Sequence, residues 1–204
     1  MLANTLELIY DVIVNPNPAM RRIAATEPRQ PALLTFFLWV IISTLTSLSM
    51  MSHMLIPMVL ASAILSAIGF AFTGAILHLT STLLGGNGRL QGLLCALPFA
   101  YIPSAFTVLL PVVYYLPSAT AQSLAGLFVG LIQIWTFYLV IVAIRHIYSL
   151  STWRAIFSIL LPLLAVVALI FAMFFLMMAG LAGALMQHSD LLQGMQGLPQ
   201  GAPF

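Results

Sequence analysis

AIFSILLPLLAVVALIFAMFFLMMAGLAGAL, Ala155 to Leu185, contains no charged side chain, and the uncharged run around it extends over the 35 residues between Arg154 and Asp190. A bilayer core takes about 20 apolar residues per helix, so this segment crosses a membrane once, because a second crossing would leave no room for a turn. Working outward, 59 uncharged residues separate Arg29 from Arg89 and 55 separate Arg89 from Arg145. Each of those runs holds two spans and a tight hairpin. The predicted fold is therefore all-α and integral to the membrane: a bundle of five transmembrane helices near Pro31 to Met51, Pro57 to Leu84, Leu90 to Leu116, Ala121 to Ile144 and Ala155 to Leu185.

Composition gives the same class. The 204 residues are 62% hydrophobic and 5% charged, whereas a soluble domain is about a quarter charged. Disorder and collagen-like structure are excluded by the apolar content and scattered Gly and Pro, and a disulfide framework by the single cysteine, Cys95. Six arginines and no lysine form no strip that could follow a phosphate backbone, so nucleic acid is not expected as a partner.

With five spans, all six arginines fall on one side. Arg21, Arg22 and Arg29 precede the first span, Arg89 ends the second turn, and Arg145 and Arg154 flank the last connection. The positive-inside rule puts these segments in the cytoplasm, with the C-terminus periplasmic or external. The organisation read from this is a cytoplasmic amphipathic segment over residues 1–30, a membrane domain over 31–186 and an external flexible tail over 187–204. Arg21-Arg22 is separated from the apolar run by Glu27, Pro28, Arg29 and Pro31, and no small-residue cleavage pattern follows, so no removable signal is expected. In the first segment Leu2, Leu6, Ile9, Tyr10, Ile13 and Val14 recur at helical spacing. That helix could lie on the membrane surface or pack against the cytoplasmic ends of the bundle. Asn17 and Pro18 then suit the N-cap and first position of a second short helix.

Inside the spans, Ala63, Ala67, Ala71 and Ala75 form a ridge of small residues, and Gly126 with Gly130 make a G-x-x-x-G pair. Both let another helix approach closely, within the bundle or across an interface between copies. Pro98, Pro103 and Pro111 fall in the third span; each removes a backbone donor, so that helix must kink or break. No Asp, Glu, Lys or Arg lies within a span. Gln133 and Tyr101 are placed deep enough to hydrogen-bond across helices, His78 falls near the interface, less than two turns from the Gly85 turn, and a packing contact is the expected use of each.

The turn GGNGR, Gly85 to Arg89, lacks the spacing of a phosphate loop and any lysine to reach a phosphate. It reads as a hairpin turn whose Gly85, Gly86 and Gly88 tolerate positive φ. Met50, Met51, His53, Met54 and Met58 gather around the first outer turn, and further methionines lie near the tail. Thioether and imidazole suit Cu(I), yet the ligands keep no fixed spacing and methionine is a common gap filler; no metal site or cofactor is assigned. The four acids, Glu7, Asp11, Glu27 and Asp190, form no close pair in a span, and no nucleophile-base arrangement is recognisable. The chain is not expected to be an enzyme.

YDVIVNPNPAMRRIAATEP (10–28), LLGGNGRLQGLLCALPFAYIPS (83–104) and IWTFYLVIVAIRHIYSLSTWRAIFSILLP (134–162) together resemble the Yip-one domain family, the Ypt/Rab-interacting membrane proteins, in its bacterial branch. The resemblance is carried by Gly85, Gly86 and Gly88, by Pro98, Tyr101 and Pro103, and by Trp135, Arg145 and Pro162, with Leu150, Ser151 and Ala155 beside them. It implies five helices, a cytoplasmic N-terminus and, for a bacterial member, the inner membrane. Eukaryotic members are linked to Rab GTPase binding and vesicle traffic and carry long cytoplasmic N-terminal domains; here that region is about thirty residues. The function expected is a membrane organiser or scaffold acting on the lipid bilayer, a membrane-protein partner or a second copy of itself. The alternative, motivated by the prolines and the methionine cluster, is a small transporter or channel for a neutral, lipidic or soft-metal substrate.

Overall fold

The computed structural model describes residues 2–48, 55–110 and 119–196, and all regular structure among them is helical. In chain order the elements are α1 (Leu2–Val14), α2 (Pro16–Thr26), α3 (Arg29–Leu48), α4 (Leu55–Leu83), α5 (Leu90–Ala100), a 3₁₀ helix (Ile102–Leu109), α6 (Ala119–Tyr148) and α7 (Thr152–Gln196). Among the described residues four stretches are long and apolar enough to cross a membrane: Leu60–Leu83, Leu90–Leu109, Gln122–Tyr148 and Thr152–Leu181. The apolar part described in α3, Arg29–Thr44, is shorter.

The chain forms two compact units, Met1–Leu160 and Leu161–Phe204. In the first, α5 is the centre and packs on α2, α3, α4 and α6. Its residues from Cys95 to Ala100 are all buried, and they meet the buried run Leu139–Ile144 of α6. Within a bilayer such a core is held by van der Waals fit and interhelical hydrogen bonds, since lipid tails are as apolar as the helices. The second unit, taken by itself, is one helix, with apolar side chains on all sides over 163–178. It continues as helix to Gln196, through ten residues of the segment read as a flexible tail. The physical reason is that no proline interrupts the chain between Pro162 and Pro199.

The third span breaks where its prolines predict. Tyr101 ends α5, and the eight residues after it continue as 3₁₀ helix, a long run for that conformation. Pro103 has no N–H to offer the preceding turn; after it Tyr101 O accepts from the Ser104 N–H at 3.0 Å, and hydroxyls add to the local carbonyls, Ser104 Oγ donating to Tyr101 O at 2.6 Å and Thr107 Oγ1 to Ser104 O at 2.7 Å. Trp39 Nε1 of α3 donates to Ser104 Oγ at 2.7 Å and holds the break against the bundle. Pro111 lies outside the described residues.

The N-terminal segment adds the buried face of α1 to the sequence reading and corrects the start of the next helix. Leu6, Tyr10 and Val14 of α1 point outward, while Thr5 and Val12 are buried and Leu8 and Ile9 pack on the core. The reason is that α1 docks on α2 and α3, so its buried face is chosen by those neighbours. The following helix begins at Pro16 with Asn15 as N-cap, not at Asn17. That frees the Asn17 amide, which donates to Tyr138 Oη at 3.3 Å and accepts from or lies beside His146 Nε2 at 3.4 Å. Arg22 of α2 reaches back to Glu7 and Asp11 of α1 at 3.5 and 3.3 Å, which offsets the acidic face of α1.

Candidate functional site

The hairpin turn after α4 closes against the end of α6. Gly85 has φ of 87°, a left-handed conformation open to glycine. A Cβ on Gly86 would lie 2.8 Å from both Ser81 O and Tyr148 Cβ, and one on Gly88 would lie 2.6 Å from Tyr148 Cδ1 and 2.7 Å from Ile147 O. Glycine is required at both positions by close approach. Asn87 N–H donates to Tyr148 O at 3.3 Å. The buried Tyr148 ring reaches across to α4, where its hydroxyl lies 2.7 Å from His78 Nδ1. Arg154 stands on the outer side of the same turn, its Nη1 3.7 Å from where a Gly85 Cβ would be.

One helical turn before the hairpin, Thr80 Oγ1 donates to Ser158 O of α7 at 2.7 Å. Ser158 is four residues before Pro162, so its carbonyl has no helical N–H to accept. Thr80 also lies 3.1 and 3.2 Å from Ile76 O and Leu77 O; its one proton goes to the shortest contact. Ser81 Oγ beside it and Thr136 Oγ1 in α6 are buried with no partner among the described residues.

A second feature is a cavity of about 340 Å³ between α3, α4 and α5. Arg29 and Gln91 stand at one end, at the first residue of α3 and the second of α5. Below them the walls are apolar: Ala32, Leu33 and Phe36 from α3, Ala67, Phe70 and Ala71 from α4, Leu94, Cys95 and Pro98 from α5. The rings of Phe36 and Phe70, with centroids 5.0 Å apart, meet in the wall. A smaller cavity of about 270 Å³ lies on the other side of α3, between Ile9, Trp39 and Phe106.

The residues singled out from the sequence therefore distribute unevenly. Gly85, Gly86 and Gly88 come together with Arg145 and Tyr148 at the hairpin, since Arg145 O accepts the N–H of Leu150 in the loop that carries Tyr148. Pro98 and Tyr101 are at the α5 break, where Tyr101 stacks near Trp39 at 5.9 Å, and Pro103 is buried beside them. Ala67 and Ala71 wall the cavity, Ala63 is half-buried and Ala75 exposed; the tight approach on α4 is made instead by Gly74, where a Cβ would lie 2.6 Å from Leu94 Cδ2. Gly126 and Gly130 are exposed, with nothing within 4 Å of an added Cβ. Trp135 and Gln133 are likewise on the outside of α6. Met50, Met51, His53 and Met54 lie outside the described residues, as does the side chain of Met58. Among the described residues no group of three His, Cys, Asp or Glu is placed to hold a metal.

Sequence reasoning missed Tyr148, Thr80, Ser158, Trp39 and Ser104. For Thr80 a signal existed, because a proline at 162 implies an orphan carbonyl at 158 that some hydroxyl must serve. For Tyr148 the three glycines of the turn were the clue, since they imply a bulky neighbour.

The model of the Yip1 domain matches residues 10–189, a stretch that includes the hairpin, the α5 break and the cavity. Neither the curated proteins nor the solved structures give a significant match.

Proposed function

The chain belongs to the Yip1 domain family, and from that premise we propose that it is a multi-pass protein of a bacterial inner membrane that acts as an organiser, through protein or lipid partners, and catalyses no reaction. Its α3 is the fifth span: 20 residues at 1.5 Å each give about 30 Å, the thickness of a hydrocarbon core. Its arginines face the cytoplasm. The placement of Arg29 beside Gln91 and of Arg154 beside Gly85 supports one basic side.

The observation that carries the organiser reading is the empty face of α6 at Gly126 and Gly130. Small residues spaced by four with no neighbour among the described residues of the first unit leave room for a further helix at close range, and in a membrane such contacts hold helices together. The test is native mass spectrometry of the protein extracted gently from its own membrane, alone and as Gly126→Leu with Gly130→Leu. A stoichiometric protein partner or second copy that the double substitution removes is the expected result. A protein-free monomer carrying a metal or solute would overturn the reading and direct attention to flux into liposomes.

A further inference from the structure

We propose that the cavity between α3, α4 and α5 holds one acyl chain of an anionic glycerophospholipid, with the lipid phosphate bound at Arg29 and Gln91. The argument begins with the distribution of polarity. Of the lining residues only Arg29 is charged, and it stands with Gln91 at the end where α3 and α5 begin. Everything below is apolar, down to Phe36, Phe70 and Pro98. That is the pattern an amphiphile needs: a cation and an amide donor at the headgroup, and hydrocarbon below.

Dimensions select the occupant. From Arg29 to Phe36 the helix rises roughly 10 Å, and the volume, about 340 Å³, is at the small end of ligand pockets, which run about 300 to 1,000 Å³. A transmembrane helix of a partner needs a wall about 30 Å long, three times what the cavity offers. The upper part of one fatty chain fits. Charge decides the headgroup: Arg29 forms no ion pair among the described residues, whereas Arg22 has two acids. The nearby carboxylate of Glu27 faces Gly92, where its Oε1 would be 3.4 Å from an added Cβ, and does not line the cavity. A phosphodiester at Arg29 is thus a charge-assisted, forked contact of the kind guanidinium favours.

The small side chains of Ala67 and Ala71 acquire a role here. They are exposed, and with one methyl group each they leave space beside Phe70 on the α4 wall of the cavity. A lipid chain replaces the helix that such a ridge would otherwise admit.

The inference rests on the membrane-organiser reading only in placing the cavity within the bilayer. The experiment uses the full chain in nanodiscs containing phosphatidylglycerol with a diazirine in the upper half of one acyl chain. Photolabelled peptides are then mapped for the wild-type protein, Arg29→Gln and Ala71→Phe. The expected result is label concentrated on 67–71 and 94–98 of the wild type, about tenfold lower with Ala71→Phe and several-fold lower with Arg29→Gln. Label spread evenly over outward segments such as 163–178, or unchanged by both substitutions, would overturn the proposal. Should Ala71→Phe not fold, the wild-type map and Arg29→Gln decide alone. Partner recovery from the same wild-type preparation separates the two readings: intact partner with no cavity label removes only this inference, and cavity label with no protein partner removes only the protein-partner form of the organiser reading.

Discussion

Thr80 donates its hydroxyl proton across 2.7 Å to the main-chain carbonyl of Ser158, the one that Pro162 leaves without a helical donor. The site is buried on both sides, since Thr80 is 4% and Ser158 0% exposed. Thr80→Val keeps the shape and removes the donor, so it is expected to destabilise the fold by about 1 to 3 kcal/mol, the penalty for an unserved buried polar group. Pro162→Ala restores an N–H to that carbonyl. In the Pro162→Ala background Thr80→Val should therefore cost less than about 1 kcal/mol. Unfolding in mixed micelles, run as a double-mutant cycle, measures the coupling; equal costs in the two backgrounds would show that Thr80 acts elsewhere.

Tyr148 and His78 form the second link between distant segments. Tyr148→Phe deletes the hydroxyl that meets His78 Nδ1 and is expected to cost about 1 kcal/mol. Tyr148→Ala also empties a fully buried ring site, for which about 3 to 5 kcal/mol is typical of aromatic truncation. His78→Ala in the Tyr148→Phe background should add less than it does alone. Additive losses in thermal denaturation would count against a direct bond.

The turn glycines predict a graded result. Gly88→Ala drives a Cβ to 2.6 Å from the Tyr148 ring and 2.7 Å from a backbone oxygen, so a loss of roughly 1 to 3 kcal/mol is expected from overpacking. Gly85→Ala meets no such clash, and its loss comes from the left-handed backbone alone, about 1 to 2 kcal/mol. Adding Tyr148→Ala should relieve part of the Gly88→Ala penalty and none of the Gly85→Ala penalty. Relief at both positions would mean that the turn as a whole had rearranged.

At the α5 break, Ser104 accepts from Trp39 and donates to Tyr101 O. Ser104→Ala orphans the indole N–H and takes from Tyr101 O one of its two donors, leaving the Ser104 N–H at 3.0 Å, and Trp39→Phe removes neither of the donors to that carbonyl. The expected order is that Ser104→Ala destabilises more, by about 1 to 3 kcal/mol, with coupling of about 0.5 to 2 kcal/mol between the two substitutions. Trp39 fluorescence should also shift to the red in Ser104→Ala as its N–H seeks water. An unshifted spectrum with full stability would remove the hydroxyl from this role.

Much of the architecture was legible because charge alone cuts this chain into apolar runs whose lengths match a bilayer. The break after α5 was legible for a similar reason, since Pro98 and Pro103 subtract donors whatever surrounds them. Contacts such as His78 with Tyr148, 70 residues apart, have no local signature: each is one polar side chain in an apolar helix, and the helix-helix register that brings them together is set by packing. Which face of α1 is buried was not legible, because six apolar residues occupy more of a 13-residue helix than one stripe, and tertiary contact, not periodicity, picks the buried side. The cavity was hidden in the opposite way: Ala67 and Ala71 predicted close approach, and whether a neighbour fills the space is decided by which side chains of α3 and α5 face them.

Ser81 supplies a prediction of opposite sign. Its hydroxyl is fully buried and has no partner among the described residues, so Ser81→Ala removes a desolvated group without breaking a bond. Stability should stay level or rise by up to about 1 kcal/mol. A loss beyond that in micelle unfolding would reveal a partner for Ser81 Oγ in the membrane-embedded protein.

Gly126 and Gly130 give two assays that should move in opposite directions. Among the described residues no atom lies within 4 Å of a Cβ added at either position, so Gly126→Ala and Gly130→Ala introduce no clash within the first unit. Replacing a helical glycine by alanine favours the helix by up to about 1 kcal/mol per site, and unfolding of the isolated monomer should become harder by a few tenths to 1 kcal/mol each. Association through the same face should become weaker, because the added methyl groups push the approaching helix away from a contact built on small residues. Förster transfer between labelled copies or partners in liposomes would report that loss, and Gly126→Leu with Gly130→Leu should deepen it. If both alanine variants leave transfer unchanged while stability rises, the α6 face docks nothing, and the organiser reading loses the observation on which it rests.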